Sequence, residues 1–323
     1  MKTKIVYVVS SNEKDIYLEQ ALLSVFSLRQ HNPNAHVELV VDQDTDATIV
    51  GKRQEIMKYI DKRIVVNVPD EFSIVAKSRW LKTSLRRHVE GNFLYIDTDT
   101  VISDTLEDID AFDGEIGAVK DQHVPIGMHS WKKRFPTLAQ KGGWTYREDI
   151  AYYNSGVLFV KDSELTYNFF QQWHQKWMKN IKTTDNHTDQ SSLAATNETF
   201  QYVIKELSGE WNCQILLNGL AYLANARIMH YLAYQKRGNP WIFYHSEILN
   251  EVKVYGYITE TVSKYVGKAK TSFTTPLRVI YGYNLDLWHS PLLSLCRTNK
   301  SALTLFNFIA KILGKLIRLK RHI

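Results

Sequence analysis

A mostly parallel α/β sheet with helices on both faces is the fold class the sequence predicts, and three observations predict it. Short apolar runs rich in β-branched residues recur along the chain, helical patterns separate them, and 323 residues suffice for one large α/β domain with an appendage. Parallel neighbours need crossover connections, and crossover helices cover the sheet on both faces.

The elements follow in order. Ile5 to Val9, Val37 to Val41 and Ile64 to Val66 read as buried strands. Between the first two, Leu18, Leu22, Val25 and Leu28 repeat at helical spacing. Asn32-Pro33 stops that helix, because a residue before proline is pushed out of the helical region. Phe93 to Ile96, Ile116 to Val119 and Gly156 to Val160 continue the strand series. From Asp121 to Tyr153, Pro125, Pro136 and Gly142-Gly143 break any periodicity, which predicts a long loop serving as a substrate lid. The α/β rhythm fades after His245. The expected division is a sheet domain over residues 1–245, a helical or irregular extension over 246–300, and a basic amphipathic helix over 301–323.

Composition narrows the partners. The net charge of +6 favours anions, but Lys and Arg are scattered until the C-terminus, which speaks against nucleic acid. Cys213 and Cys296 form neither a CxxC pair nor a ligand cluster, so neither a disulfide framework nor a zinc site is expected. The N-terminal apolar run stops at Val9, too short for a signal peptide or a transmembrane helix. The expected location is the cytoplasm.

The chemistry is concentrated in Phe93-Leu94-Tyr95-Ile96-Asp97-Thr98-Asp99-Thr100-Val101, where two carboxylates sit at i and i+2 at the end of an apolar strand. In extended chain such residues point the same way, so both can reach one cation. Oxygen ligands suit Mg²⁺ or Mn²⁺, which keep positions open for phosphate oxygens.

Several motifs, in order, resemble glycosyltransferase family 8, the GT-A group that contains glycogenin and bacterial lipopolysaccharide galactosyltransferases. Leu94-Tyr95-Ile96-Asp97-Thr98-Asp99 is similar to its metal-binding DxD strand, and Ala118-Val119-Lys120-Asp121 to the strand with its sugar-contacting Asp. Asn154-Ser155-Gly156-Val157 resembles the strand whose Asn lies near the donor sugar, Asp189-Gln190 the pair beside the anomeric carbon, and Trp211-Asn212 a later signature. Ile228-Met229-His230-Tyr231 resembles the strand whose His completes the metal site. The resemblance spans roughly residues 3–245.

It implies a GT-A-like α/β/α sandwich and a retaining transferase that moves a hexose from a nucleotide diphosphate, UDP by resemblance, to a glycan or lipid-linked acceptor. Asp97, Asp99 and His230 would hold Mn²⁺ or Mg²⁺. Lys82, Asp121, Asn154 and Asp189 would bind the donor, with Asn154, Asp189 and Gln190 nearest the chemistry. One departure concerns the diphosphate. The Lys that precedes Pro-Trp in the family is Asn239 here, and Lys236 in the longer turn is the substitute.

Two other classes share these residues. The Asp97-Thr98-Asp99-Thr100-Val101 run also resembles the nucleophile motif of haloacid-dehalogenase-type phosphatases, with Lys182, Asp185 and Asp189 as later motifs. That motif opens its domain, whereas three strand candidates precede it here, and it leaves His230 without a role. A nucleotide-sugar-binding protein without turnover is the third class. In the loop, Trp131, Trp144, Tyr146, Tyr152 and Tyr153 are candidates to stack on an acceptor sugar.

Finally, Lys300, Thr304, Asn307, Lys311, Lys315, Arg318 and His322 recur every three or four residues as one polar stripe. The rest of that helix is apolar and edged by cations, the pattern of an interfacial anchor on an anionic membrane. A peripheral position at the inner membrane face is therefore expected.

Overall fold

In the computed structural model the described residues are 1–184, 188–215, 217–231, 243–272 and 290–320. Lys236 and Asn239, like Asp185, lie outside them.

Strand periodicity sets up the layers. The sheet domain runs β1 (Lys4–Val9), α1 (Tyr17–His31), β2 (Val37–Asp42), α2 (Gln43–Thr48), β3 (Lys62–Val66), α3 (Ile74–Thr83), β4 (Phe93–Ile96), β5 (Thr100–Ile102) and β6 (Ile116–Lys120). It continues with α4 (Phe135–Gly142), β7 (Tyr153–Val160), α5 (Glu164–Thr184), α6 (Asp189–Thr199), β8 (Ile204–Glu206), β9 (Cys213–Gln214) and β10 (Ile228–His230). Alternate residues of one strand feed two separate cores. Ile5, Tyr7 and Val9 of β1 join a core with α1, while Val6 and Val8 join another with Leu81 of α3, Phe169 and Trp173 of α5 and Leu193 of α6. Helices thus cover both faces, giving the α/β/α sandwich that the alternation predicts.

The seven-stranded sheet has the order β3-β2-β1-β4-β7-β6-β8. β1 pairs in parallel with both β2 and β4, as do β2 with β3 and β6 with β8, whereas β7 runs antiparallel to β4 and β6. The chain leaves β1 towards β3 and returns on its other side at β4. A crevice opens at the carboxyl ends of strands where the order reverses in this way. The antiparallel β7 starts at that same edge, since its Val157 is opposite Ile96 of β4. A small second sheet, β5-β10-β9, closes one side of it.

The 121–153 loop is more ordered than proline and glycine spacing suggests. It holds α4 and several 3₁₀ turns, and Ile126, Phe135, Ala139, Trp144 and Tyr152 form a core of their own with Ala195 of α6. Tertiary aromatic packing, not periodicity, orders it. Beyond residue 242 come α7 (Phe243–Tyr255), α8 (Glu260–Val266), α9 (Ala269–Ser272), α10 (Pro291–Thr298) and α11 (Lys300–Lys320). Ile248, Leu249, Val252, Val262 and Val266 are buried in the same core as α1, so the extension begins as a layer of the sheet domain. α11 packs on α10 and leaves most of its surface exposed.

Candidate active site

A cavity of about 300 Å³ lies at the strand reversal, walled by Ser10 after β1, Arg79 and Lys82 of α3, Asn154 of β7 and Asp189 at the start of α6. Its floor carries the acidic pair. Asp97 and Asp99 do not sit in extended chain: β4 ends at Ile96, and residues 97–99 bend into β5, tied by Thr100 Oγ1 donating to the Asp97 carbonyl at 2.8 Å. The bend, not strand alternation, turns both carboxylates to one side.

His230 arrives from far along the chain because β10 pairs antiparallel to β5, with His230 opposite Thr100. One ligand atom from each of Asp97, Asp99 and His230 lies within 4.8 Å of the others. His230 Nδ1 donates to Asn212 Oδ1 at 3.0 Å, which leaves Nε2 facing Asp99 Oδ1 at 3.1 Å. An imidazole tethered at one nitrogen, with the other turned towards the carboxylates, is the form a metal ligand takes.

The electrostatics point the same way. Burial disfavours a charged His230, yet Asp99 beside it outweighs that and raises its pKa, while His230 holds Asp99 down against its own desolvation. Gly156 supplies the space: a Cβ there would lie 2.6 Å from His230 Cε1 and 2.8 Å from Asp97 Oδ2. Two carboxylates, one oriented imidazole and a cradle kept open by glycine fit a hard or borderline divalent ion.

Behind the floor stands a buried cation. Lys82, 1% exposed, reaches Asp97 Oδ1 at 3.2 Å, Ser155 Oγ at 3.0 Å and Asp189 Oδ2 at 3.1 Å. Tyr95 donates its hydroxyl to Asp97 as well. Arg79, one turn earlier on α3, approaches Asp189 at 3.5 Å and is partly exposed on the cavity wall. Burial alone would raise the Asp189 carboxyl, but Lys82 and Arg79 bring it down to about 2. Sequence reasoning singled out Lys82 and missed Arg79; helical spacing of three was the available signal.

Asn154 and Gln190 also line the cavity. The Gln190 amide nitrogen donates to the Tyr153 carbonyl at 3.3 Å, leaving Oε1 as the atom it can offer. Asp121 is placed differently from the sugar contact that the resemblance implies. It is buried off the cavity wall, where Oδ1 accepts from Asn154 Nδ2 at 2.8 Å and Oδ2 from His129 Nε2 at 2.9 Å. Asn212, buried between His230 and Asn154, links the metal-side imidazole to the same amide. Its motif was visible in the sequence, its role was not.

The loop stands beside the cavity, since no residue of 121–153 lines it. Of the five loop aromatics, Trp144 and Tyr152 are buried, Tyr146 and Tyr153 are half-buried, and Trp131 alone is exposed. Lys182 of the phosphatase alternative is an exposed residue of α5, away from the cavity wall.

Comparison with known proteins fits this geometry. The sequence pattern of Glycosyl transferase family 8 matches residues 8–243. The solved structure of the galactosyltransferase LgtC in complex with donor and acceptor sugar analogs is similar with a TM-score of 0.51 at 16% identity, covering 81% of this chain and 99% of that one. The apo structure of the bifunctional glycosyltransferase WbbM has a TM-score of 0.50 at 16% identity, covering 76% of this chain and 51% of that one. At such identities the likeness bears on the fold, which is of the GT-A type. No curated protein matches the sequence.

Proposed function

The chain belongs to glycosyl transferase family 8, and from that membership and its cavity we propose that it transfers a hexose, with retention, from a UDP-hexose to a glycan or lipid-linked acceptor. One observation supports this above the rest, the balance of charge. Asp97, Asp99 and Asp189 face Lys82 and Arg79, so with His230 neutral the cavity carries one net negative charge and repels a diphosphate. A divalent cation reverses that sign.

Asp97, Asp99 and His230 are the proposed ligands of Mn²⁺ or Mg²⁺, whose chemistry when bound is Lewis-acid stabilisation of the departing diphosphate. Arg79 is the cation open to the donor. Lys82, committed to three acceptors, keeps Asp97 and Asp189 in place, and Lys236 is kept as the proposed substitute for the family lysine. Asn154 and Asp189 bind sugar hydroxyls, with Asp121 acting from behind Asn154. Gln190 is a neutral amide and a poor nucleophile, so retention follows from attack on the face the diphosphate leaves, with its phosphate oxygen taking the acceptor's proton. The Gln190 oxygen then faces the positive charge that develops at the anomeric carbon.

The acceptor is brought to the protein at a surface. Eight large apolar side chains of α11, from Leu303 to Ile317, are 39–62% exposed, and cations edge them. Among the described residues no helix is long and apolar enough to cross a membrane. An interfacial anchor on anionic lipid at the inner membrane face fits both facts.

Screening nucleotide sugars with Mn²⁺ for thermal stabilisation tests the donor, because a ligand that binds only the native state raises its melting point. A UDP-hexose that stabilises with Mn²⁺ and not with EDTA supports the proposal. Stabilisation by no nucleotide sugar, with phosphate released from simple phosphoesters, contradicts it.

A further inference from the structure

We propose that His129, in the loop and off the cavity wall, is a positioning residue that sets the orientation of the Asn154 amide through Asp121; this rests on the donor site proposed above. The hydrogen bonds converge on the Asp121 carboxylate from both sides. The Trp131 backbone N–H donates to His129 Nδ1 at 3.0 Å, so the ring proton is on Nε2, which donates to Asp121 Oδ2 at 2.9 Å. Asp121 Oδ1 accepts from Asn154 Nδ2 at 2.8 Å. Asn154 Oδ1 then accepts from Asn212 Nδ2 and from the Gly156 N–H, both at 2.9 Å, and Asn212 Oδ1 accepts from His230 Nδ1 at 3.0 Å.

Asn154 therefore has a single workable orientation. Turned over, its NH₂ would oppose two donors and its oxygen would oppose a carboxylate. From His129 through Asp121, Asn154 and Asn212 to His230 every side chain of this series is buried, so side chains rather than bulk water must supply the partners. His129 is clamped as well, with Phe135 edge-on at 4.9 Å and Trp131 at 5.7 Å. The fold of a loop that never touches the cavity thus decides which Asn154 atoms face the sugar. Arg79, the cation open to the donor, is outside this series of bonds, and His230 stands at its far end, beyond Asn154 and Asn212, so loss of its His129 end should weaken recognition of the hexose and spare that of UDP.

The test uses the full chain and two variants. His129→Phe keeps an aromatic ring without the donor, and His129→Gln restores an N–H donor to Asp121. Calorimetric titration with Mn²⁺ present should give UDP affinities within about 2-fold of wild type in both. Affinity for UDP-glucose or UDP-galactose should fall about 10-fold in His129→Phe, the cost of one misdirected hydrogen bond, and largely recover in His129→Gln. Equal losses for UDP and UDP-hexose in both variants, or unchanged UDP-hexose binding in His129→Phe, overturn the proposal. A ligand-free measurement separates it from the donor assignment. In the unliganded wild type, imidazole ¹⁵N shifts at neutral pH should report His129 protonated at Nε2 alone, whereas protonation at Nδ1 breaks the series of bonds. If wild type binds no nucleotide sugar, the donor assignment fails and the ¹⁵N result still decides for or against the His129 arrangement.

Discussion

The sheet domain and α11 meet the same physical demand in opposite ways. Around the cavity, charge is buried only where it is answered: Lys82 is 1% exposed and holds two carboxylates and a hydroxyl. On α11, Leu305, Phe308 and Ile317 are 55–62% exposed, with no cover among the described residues. Buried charge without a partner and apolar surface without cover are both costly. The first region satisfies that rule internally and the second does not, so the site should survive isolation while the helix needs a surface to act on.

Four experiments press on this contrast, from the largest expected effect to the smallest. Asp99→Ala or His230→Ala removes one of the three proposed metal ligands, and turnover of the matched donor should fall on the order of 100-fold or more. Asp189→Asn should cost roughly 10- to 100-fold in turnover, because the carboxylate proposed to bind the sugar, which also answers Lys82, becomes a neutral amide. UDP affinity measured alongside should change less; equal losses would move Asp189 away from the sugar.

Removing residues 301–323 should abolish salt-sensitive sedimentation with anionic liposomes. The melting point and donor turnover in solution should stay close to those of the full chain. Liposome binding that survives the truncation, or a truncated chain that no longer folds, would show that α11 is a structural helix and erase the contrast.

The smallest effect concerns pH and the sheet domain alone. Burial brings His123 down to about 4, against an opposing pull from Asp121, and burial with Arg87 and His88 brings His174 down to about 4. Both folded values lie below the unfolded one of about 6.5, so the unfolded chain binds more protons in between. Their contribution is complete above about 6.5 and is lost as the pH falls towards 4. Each should add at most about 1.4 kcal/mol per pH unit to the slope of stability in that window. His174→Asn should flatten the slope measured in urea, and truncation at residue 300 should leave it unchanged.

The same contrast explains what the sequence made legible. Strands such as Phe93–Ile96 were readable because each is a short apolar run whose alternate residues feed two cores. Asp97, Asp99 and His230 were readable only as motifs in order, since no local rule brings a residue of β10 to the end of β4. The antiparallel pairing of β5 with β10 does that. Arg79 and the roles of Tyr95 and Asn212 were missed because their chemistry is relational: each matters through the side chain it touches, Asp189 for Arg79, Asp97 for Tyr95, and His230 and Asn154 for Asn212. The 121–153 loop was misjudged for a related reason, as its order comes from Phe135, Trp144 and Tyr152 packing on one another and not from any period. The polar stripe of α11 needed no such partners. It was legible because helical spacing alone defines it, which is also why its role depends on a surface outside the chain.

The most direct test of the account is donor hydrolysis by the matched UDP-hexose, followed in EDTA and after Mn²⁺ is added back. Wild type should be silent in EDTA and recover fully with Mn²⁺, while a variant with Asp97, Asp99 and His230 all changed to alanine should stay silent in both. Full activity in EDTA, or a triple variant that hydrolyses the donor as wild type does, would contradict the assignment of these three residues as the centre of the reaction.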